Sequence, residues 1–434
     1  MCRVAIIGDN SNEYVRKLIE IWNAGDSAVL IDWRIPCQKA YDMMREANVQ
    51  TCYIDQRLSD NWLFMKDQAI DIQFFENKVQ GSELLERSTY TKFISNYSKN
   101  EAMVIYSSGT TGKSKGVILS HYSINVNADA IQEYMSLSSN DCFYIAKSFS
   151  HSSTIVGELL VALKNCIPVV VAPTIVPPRY VLERIKRFSV TTIALNPSLI
   201  KMYAEEAGRK IYDLSSLKRI YVSGDLFDDG AYSISHELFG KIQIYNVYGL
   251  TEAGPRVSAQ RINCCKSNSV GKPIKNVEVT IVDDSGNIVT TGNRGIIHVN
   301  TLSKYSGYVS GQEKNRSLYR DWINTGDVGY FDSDGELHIV GRIDDLIIID
   351  GHKLYPNDIE QVIVREFGIV DCMVFKKHSD FGDYLGCLYV GNLDETSITR
   401  NLRKSLASYE IPREFYRVTS IPTNINGKKR RSGF

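Results

Sequence analysis

The 434-residue sequence has no excess of charge of either sign: 50 lysines and arginines stand against 50 aspartates and glutamates. A nucleic-acid binder more often carries a basic surplus, so that class loses ground. The one dense charge run is KKRR at 428–431. No apolar stretch approaches the roughly 20 residues that a membrane span needs. Cysteine pairs with metal spacing are missing as well. Nine cysteines are scattered from Cys2 to Cys387 with no C-x-x-C, and the adjacent Cys264 and Cys265 suit neither a zinc site nor a disulfide framework. Reduced thiols and a cytoplasmic location are expected, and MCRVAIIGDNS lacks the layout of a signal peptide. Short-period repeats are absent too.

What is present is alternation. VAII (4–7) is a buried-strand run. Val15, Leu18, Ile19 and Trp22 then recur at helical spacing over 10–25, with Asn10 or Ser11 as a cap and Gly25 at the end. Strand SAVLID (27–32), a helix near 36–48 and strand TCYID (51–55) complete a β-α-β-α-β unit, which implies a parallel sheet covered by helices. A second such unit runs over 191–246. From about 270 the texture becomes antiparallel: DSG between two β-rich runs in VEVTIVDDSGNIV (277–289) predicts a hairpin, and GIIHV (295–299) and ELHIV (336–340) continue the strands. The last 90 residues or so alternate as a small α+β unit, with helices near 356–366 and over 397–408.

The stretch MVIYSSGTTGKSKGVIL (103–119) carries the first chemistry. It is not a Walker A loop, because Ser107 stands where that motif needs glycine. The following KGVILS is also strand-like, where a P-loop needs a helix start. The pattern predicts strand–loop–strand. Gly109 and Gly112 let backbone amides approach phosphate oxygens, Ser107, Thr110 and Thr111 offer hydroxyls, and Lys113 and Lys115 offer charge. An ordinary hydrophilic hairpin tip is the plain alternative.

The run YSSGTTGKSKGVILSH resembles the phosphate-loop signature of the adenylate-forming (ANL) superfamily of acyl- and aryl-CoA synthetases, peptide-synthetase adenylation domains and luciferases. Ser114 stands where the family usually has proline. Further motifs follow in family order: VSGDLF (222–227), YNVYGLTEAG (245–254), NTGDVGYF (324–331), GRIDDLIIIDGHKLYPNDIE (341–360) and PTNINGKKRRSGF (422–434). The resemblance implies a large N-terminal domain (1–342) of two wound α/β subdomains plus a small antiparallel β unit. A small mobile α+β C-terminal domain (343–434) follows, turning about a hinge at Asp344. The chain begins almost at the first wound unit, where the family has a longer segment, so the first sheet is expected to be trimmed or completed by a partner.

Site residues follow from the same resemblance. ATP is expected against Ser107, Ser108, Gly109, Thr110, Thr111, Gly112 and Lys115, then Ser223, Gly224 and Asp225, then Asn246, Tyr248, Gly249 and Thr251, with Asp327 and Arg342 on the ribose. Thr251 and Glu252 act in catalysis, Glu252 through Mg²⁺. Lys428 is the catalytic lysine, with Lys429 as the alternative. His151 and Gly254 line the acyl pocket, and Gly351 lets a thiol arm pass. The implied reaction joins a carboxylic acid to AMP and then to a thiol, that of CoA or of a carrier protein's phosphopantetheine. KSFSHSSTIVGELLVAL (147–163) offers no aspartate for an α-ammonium group, so an aliphatic or aryl acid without one is expected. Bland readings stand beside each motif: a β-turn aspartate at 327, a surface pair at Arg342 and Asp344, a helix-start histidine at 151, a basic tail at 428–431. The rival classes are a P-loop-type NTPase or kinase, a non-catalytic nucleotide-binding protein, and a luciferase-like oxidase.

Overall fold

A computed structural model describes the chain except for residues 66–69, 78–80, 108–113, 225–226, 228, 241, 261–268, 312–320, 350, 380–381, 393–397, 424–428 and 432–434. Ser108 through Gly112, Asp225 and Lys428 therefore lie outside the described residues.

The first wound unit forms as its pattern predicts. Ser11 caps the helix Asn12–Asn23, its hydroxyl accepting from the Tyr14 amide at 3.0 Å. Val15, Leu18 and Ile19 are buried, and half-buried Trp22 is fixed by its indole N–H on the Ala102 carbonyl at 2.9 Å. Strand Arg3–Ile7 lies inside a seven-stranded sheet, pairing in parallel with Ser27–Ile31 on one side and Thr51–Asp55 on the other. Strands of a covered sheet are apolar on both faces, and alternation divides this one: Val4 and Ile6 join one core, Ala5 and Ile7 another. The antiparallel hairpin Glu101–Ser107/Lys115–Ser120 extends the sheet and ends at Gly307–Tyr308.

The second unit gives an eight-stranded sheet. Its parallel centre runs Gln243–Gly249, Arg219–Val222, Thr192–Leu195, Phe143–Ile145, Val169–Val171. Arg256–Ala259 turns back antiparallel on Gln243–Gly249. The largest apolar core lies between the two sheets, joining Ile6 and Leu119 of the first to Phe143 and Tyr221 of the second.

A four-stranded antiparallel sheet follows: Val277–Val282, Gly295–Thr301, Ile323–Phe331, Leu337–Arg342. The predicted DSG turn forms, with Asp283 Oδ1 accepting from the Ser285 and Asn287 amides. The expected hairpin forms but is short: the Asp283 amide donates to the Asn287 carbonyl at 2.9 Å, Val282 and Ile288 bridge, and the Val289 amide donates to the Ile281 carbonyl at 3.0 Å. The longer ladder partner of Val277–Val282 is Gly295–Thr301. Ile288 is 57% exposed whereas Ile297 is fully buried, so the later strand covers more apolar surface.

Beyond Arg342 come the hairpin Ile347–Ile349/His352–Leu354, the helix Pro356–Phe367 and a sheet of Asp371–Ser379, Gly382–Val390 and Glu414–Arg417. The helix expected over 397–408 is shorter, Ile398–Leu402, and continues as turns. Two apolar clusters draw only on residues from Ile347 onward. Contacts from this part to the preceding chain are polar at Arg294–Asp358 (2.6 Å), Lys353–Asp284 (2.8 Å) and Lys201 Nζ to the Val370 carbonyl (2.9 Å).

Candidate active site

Ligands of wound α/β sheets gather outside the carboxyl ends of the parallel strands. Here those ends deliver Ser223 and Gly224 after Arg219–Val222, and Tyr248 and Gly249 at the close of Gln243–Gly249. Gly224 sits at φ +102° and Gly249 has no room for a side chain: a Cβ there would stand 1.8 Å from the Pro255 carbonyl oxygen. That oxygen belongs to backbone and cannot swing aside. Gly249→Ala is therefore expected to cost about 3 kcal/mol of stability, which thermal unfolding would register.

The antiparallel sheet brings a second group of residues to this edge. Asp327 and Arg342 are direct cross-strand partners, with Arg342 Nη1 donating to Asp327 Oδ1 at 3.1 Å. The Tyr248 hydroxyl donates to Asp327 Oδ2 at 2.5 Å. Burial first, and the Asp327 charge second, hold the Tyr248 phenol far above its ordinary pKa, so it stays a donor. A carboxylate has about four acceptor positions, and accepting from hydroxyl donors is its ordinary chemistry.

Glu252 lies in the short 3₁₀ turn Thr251–Ala253 that follows Gly249 and Leu250. The Tyr308 hydroxyl donates to Glu252 Oε1 at 3.0 Å, and Lys115 Nζ lies 5.5 Å from the Tyr308 ring centre. Burial, then the charge of Glu252, raise the Tyr308 pKa. Tyr308 thus ties the strand leaving the glycine loop to the Thr-Glu turn. Ser107 faces Lys115 across the mouth of that loop. The Thr251 hydroxyl lies 3.0 Å from Ser152 Oγ. That contact sets His151, the half-buried residue preceding the helix Ser152–Thr154, next to the same turn.

Other expected residues have more local surroundings. Asn246 is buried and its amide nitrogen donates to the Ser269 carbonyl at 2.7 Å, which anchors the turn. Gly254, at φ +89°, is pressed against Ser303. Asp344 is exposed in the turn Ile343–Asp345, 4.0 Å from Arg342. Gly351, at φ +81° in an exposed hairpin turn, faces open space. Lys429 is held by Glu360 and Asp371, both at 2.9 Å, and donates to the Cys372 carbonyl at 2.5 Å. Burial opposes its charge, but those two carboxylates raise its pKa overall. Arg431 joins the same Glu360 and donates to Asn357 Oδ1 at 2.7 Å. The sequence offered no signal for Tyr308, nor for a buried cluster of Lys147, Glu158 and Arg256 behind Ser223.

Among the described residues no group of three or more His, Cys, Asp or Glu side chains is placed to hold a metal. The single carboxylate of Glu252 suits Mg²⁺ carried in with a nucleotide, because that ion keeps several waters and takes phosphate oxygens beside one or two carboxylates.

The sequence matches the AMP-binding enzyme family over residues 2–309. The chain belongs to that family. Among curated relatives, a 2-succinylbenzoate–CoA ligase of Bacillus cytotoxicus is 27% identical, the match covering 98% of this chain and 86% of that ligase. Surfactin synthase subunit 2 of Bacillus subtilis is 26% identical over 99% of this chain and 12% of its own length. Among solved structures, ATP-bound MatB from Rhodopseudomonas palustris superposes with a TM-score of 0.87 at 21% identity, covering 99% of this chain and 87% of that one. The o-succinylbenzoate CoA synthetase MenE of Bacillus subtilis, in complex with ATP and magnesium ion, gives 0.82 at 21%, covering 99% and 88%. The wound sheets, antiparallel unit and small C-terminal part described above are thus the fold of AMP-binding enzymes.

Proposed function

We propose that this AMP-binding enzyme activates an aliphatic or aryl carboxylic acid without an α-amino group and passes the acyl group to CoA. The observation that carries the reading is the Tyr248–Asp327–Arg342 constellation standing beside the Glu252–Tyr308–Lys115 chain at one sheet edge. The first set suits a ribose diol, with Asp327 accepting two hydroxyl hydrogens. The second suits a polyphosphate. The relatives named above, CoA ligases among them, support the same chemistry.

In the first step the acid's carboxylate oxygen attacks the α-phosphorus of ATP. A C–O–P bond forms, the bond from α-phosphorus to the bridging oxygen breaks, and pyrophosphate leaves. Negative charge gathers on phosphate oxygens, so positioning and fixed positive charge dominate the catalysis. Mg²⁺, held by Glu252, would supply part of that charge. Ser107, Lys115 and the loop residues Ser108 to Gly112 would grip the outer phosphates. Thr251 would donate to the α-phosphate, Ser223, Gly224, Asp225 and Asn246 would border the base, and Lys428 would complete the charge. In the second step a thiol sulfur attacks the acyl carbon near Gly351, its proton departs and AMP leaves. We place the division between the two domains at Arg342, with Asp344 as pivot. The separate apolar clusters beyond Ile347 and the polar contacts across the boundary support a part that turns as a unit.

The acyl group would lie along His151, Ser152 and Gly254. Asp32 approaches Ser150 Oγ at 3.2 Å but is already bound to Arg34 at 2.6 Å, so it is not free to hold an α-ammonium group. A cytoplasmic location belongs to the same proposal. The described cysteines are free thiols, and among the described residues no helix is long and apolar enough to cross a membrane.

Asp327→Ala tests the ribose assignment. Hydrogen bonds to a charged group contribute about 1.5–3 kcal/mol, so KM for ATP is expected to rise on the order of 10- to 100-fold with a smaller change in KM for the acid. An unchanged KM for ATP would remove Asp327 from the site. Mass analysis of products from a panel of aliphatic, aryl and amino acids, run with and without CoA, tests the acid class and the acceptor.

A further inference from the structure

Asn357 hydrogen-bonds to both sides of the boundary between the large and small parts of the chain. It is half-buried in the first turn of the helix Pro356–Phe367. Its Nδ2 donates to the Val340 carbonyl at 3.2 Å, and its Oδ1 accepts from Arg431 Nη2 at 2.7 Å. Val340 belongs to the strand Leu337–Arg342, two residues before the Arg342 that pairs with Asp327. Arg431 belongs to the C-terminal tail, three residues after Lys428.

These partners fix which way round the amide sits. A guanidinium only donates and a carbonyl only accepts, so the oxygen faces Arg431 and the nitrogen faces Val340. A carboxylate of the same shape could serve Arg431 but not Val340. The approach to the strand also depends on Gly341, where a Cβ would stand 3.1 Å from Asn357 Nδ2.

The tail is fastened on the small-domain side as well. Arg431 also bonds Glu360 and donates to the Val374 carbonyl at 2.9 Å. The Arg430 amide donates to the Pro422 carbonyl at 2.9 Å, and Thr423 and Lys429, on either side of residues 424–428, pair as an isolated bridge. An anchor at Arg431 is thereby passed to both flanks of the segment that contains Lys428. Gly351, assigned above to the thiol step, faces open space instead. Lys353 in the same hairpin is held by Asp284, which follows the outer strand Val277–Val282, two strands away from the one that carries Asp327.

We propose that Asn357 is a positioning residue for adenylation: it seats the tail that carries Lys428 against the strand that carries Arg342. The inference rests on the adenylation reading above and adds to it the contact that holds the small domain in place for the first step. Val340 precedes the pivot Asp344 and Asn357 follows it, so turning the small domain for the second step breaks this bond. Asn357 touches no reacting group and acts through Arg431 and the tail.

Asn357→Asp tests the proposal, because it keeps an oxygen for Arg431 and removes the N–H that Val340 accepts. A carboxylate in the first turn of a helix is favourable, so thermal unfolding should be little changed. Losing one hydrogen bond should lower kcat for ATP–pyrophosphate exchange roughly 3- to 10-fold. KM for ATP should be nearly unchanged, and thiolysis of a supplied acyl-adenylate should be equal or faster. Gly341→Ala crowds the same bond from the large domain and should give the same split, which keeps the proposal testable if Asn357→Asp does not fold. Exchange untouched in these variants, both half-reactions falling together, or a change confined to KM for ATP overturns the positioning role and leaves adenylation standing. Absence of exchange in the wild type with every acid of a broad panel overturns the adenylation reading itself, and the positioning role with it.

Discussion

Replacing Lys428 by alanine is expected to lower ATP–pyrophosphate exchange on the order of 10²- to 10³-fold, the usual cost of one preorganised contact to developing charge. Thiolysis of a supplied acyl-adenylate should fall far less, because that step requires no charge on a departing pyrophosphate. Lys428 lies outside the described residues, but its neighbours support the choice. Lys429 is engaged by Glu360, Asp371 and the Cys372 carbonyl. Freeing it to reach a phosphate would break a buried ion pair. Lys429→Met should therefore act mainly on stability, and Lys428→Ala mainly on adenylation. Equal loss of both half-reactions in Lys428→Ala would remove its assigned role.

The second large effect is expected at Glu360. This buried carboxylate on the helix Pro356–Phe367 accepts from Lys429 at 2.9 Å, from Arg431 and from the Val374 amide at 2.7 Å. Glu360→Ala would remove the buried counter-charge that Lys429 and Arg431 share, leaving Lys429 to Asp371 alone, and breaking a buried pair in this way typically costs about 3–5 kcal/mol. Thermal or denaturant unfolding of the C-terminal part should show it directly. Adenylation should suffer as well, since the clamp fixes the segment next to Lys428. Burial pushes the Glu360 pKa up, but Lys429 and Arg431 outweigh it and hold the value below the ordinary one. A depressed folded-state pKa contributes stability that is present above about pH 4.3, the unfolded value, and is lost as pH falls through the folded value. Stability should therefore begin to fall near that unfolded value and go on falling until the pH has passed the depressed folded value, and Glu360→Gln should flatten that pH dependence.

Local patterns in the sequence carried much of the fold. The hairpin Glu101–Ser107/Lys115–Ser120 was legible because two β-rich runs flank a glycine-rich tip. The helix Asn12–Asn23 was legible from its cap and apolar spacing. Pairings set by sheet order were not. Asp327 and Arg342 were both marked by motifs, but their cross-strand contact depends on a register that no local pattern encodes. Tyr308 reaches Glu252 across 56 residues, because its short strand joins the first sheet beside the glycine hairpin. The 277–289 hairpin was overextended, since turn chemistry fixes a reversal and burial decides which strand completes the ladder. The Lys147–Glu158–Arg256 cluster was the least visible. Its members come from three separate segments, and one additional residue per turn in a π-helix leaves no mark in an apolar periodicity.

The central claim is that this pocket exposes the innermost phosphorus of ATP to an organic acid. ATP labelled at the α-phosphate, incubated with enzyme, magnesium and a broad acid panel, tests it most directly. The account predicts label appearing in AMP and acyl-AMP, pyrophosphate as the other product, and strict dependence on the acid. Label appearing in ADP, or ATP breakdown indifferent to the acid, would contradict it.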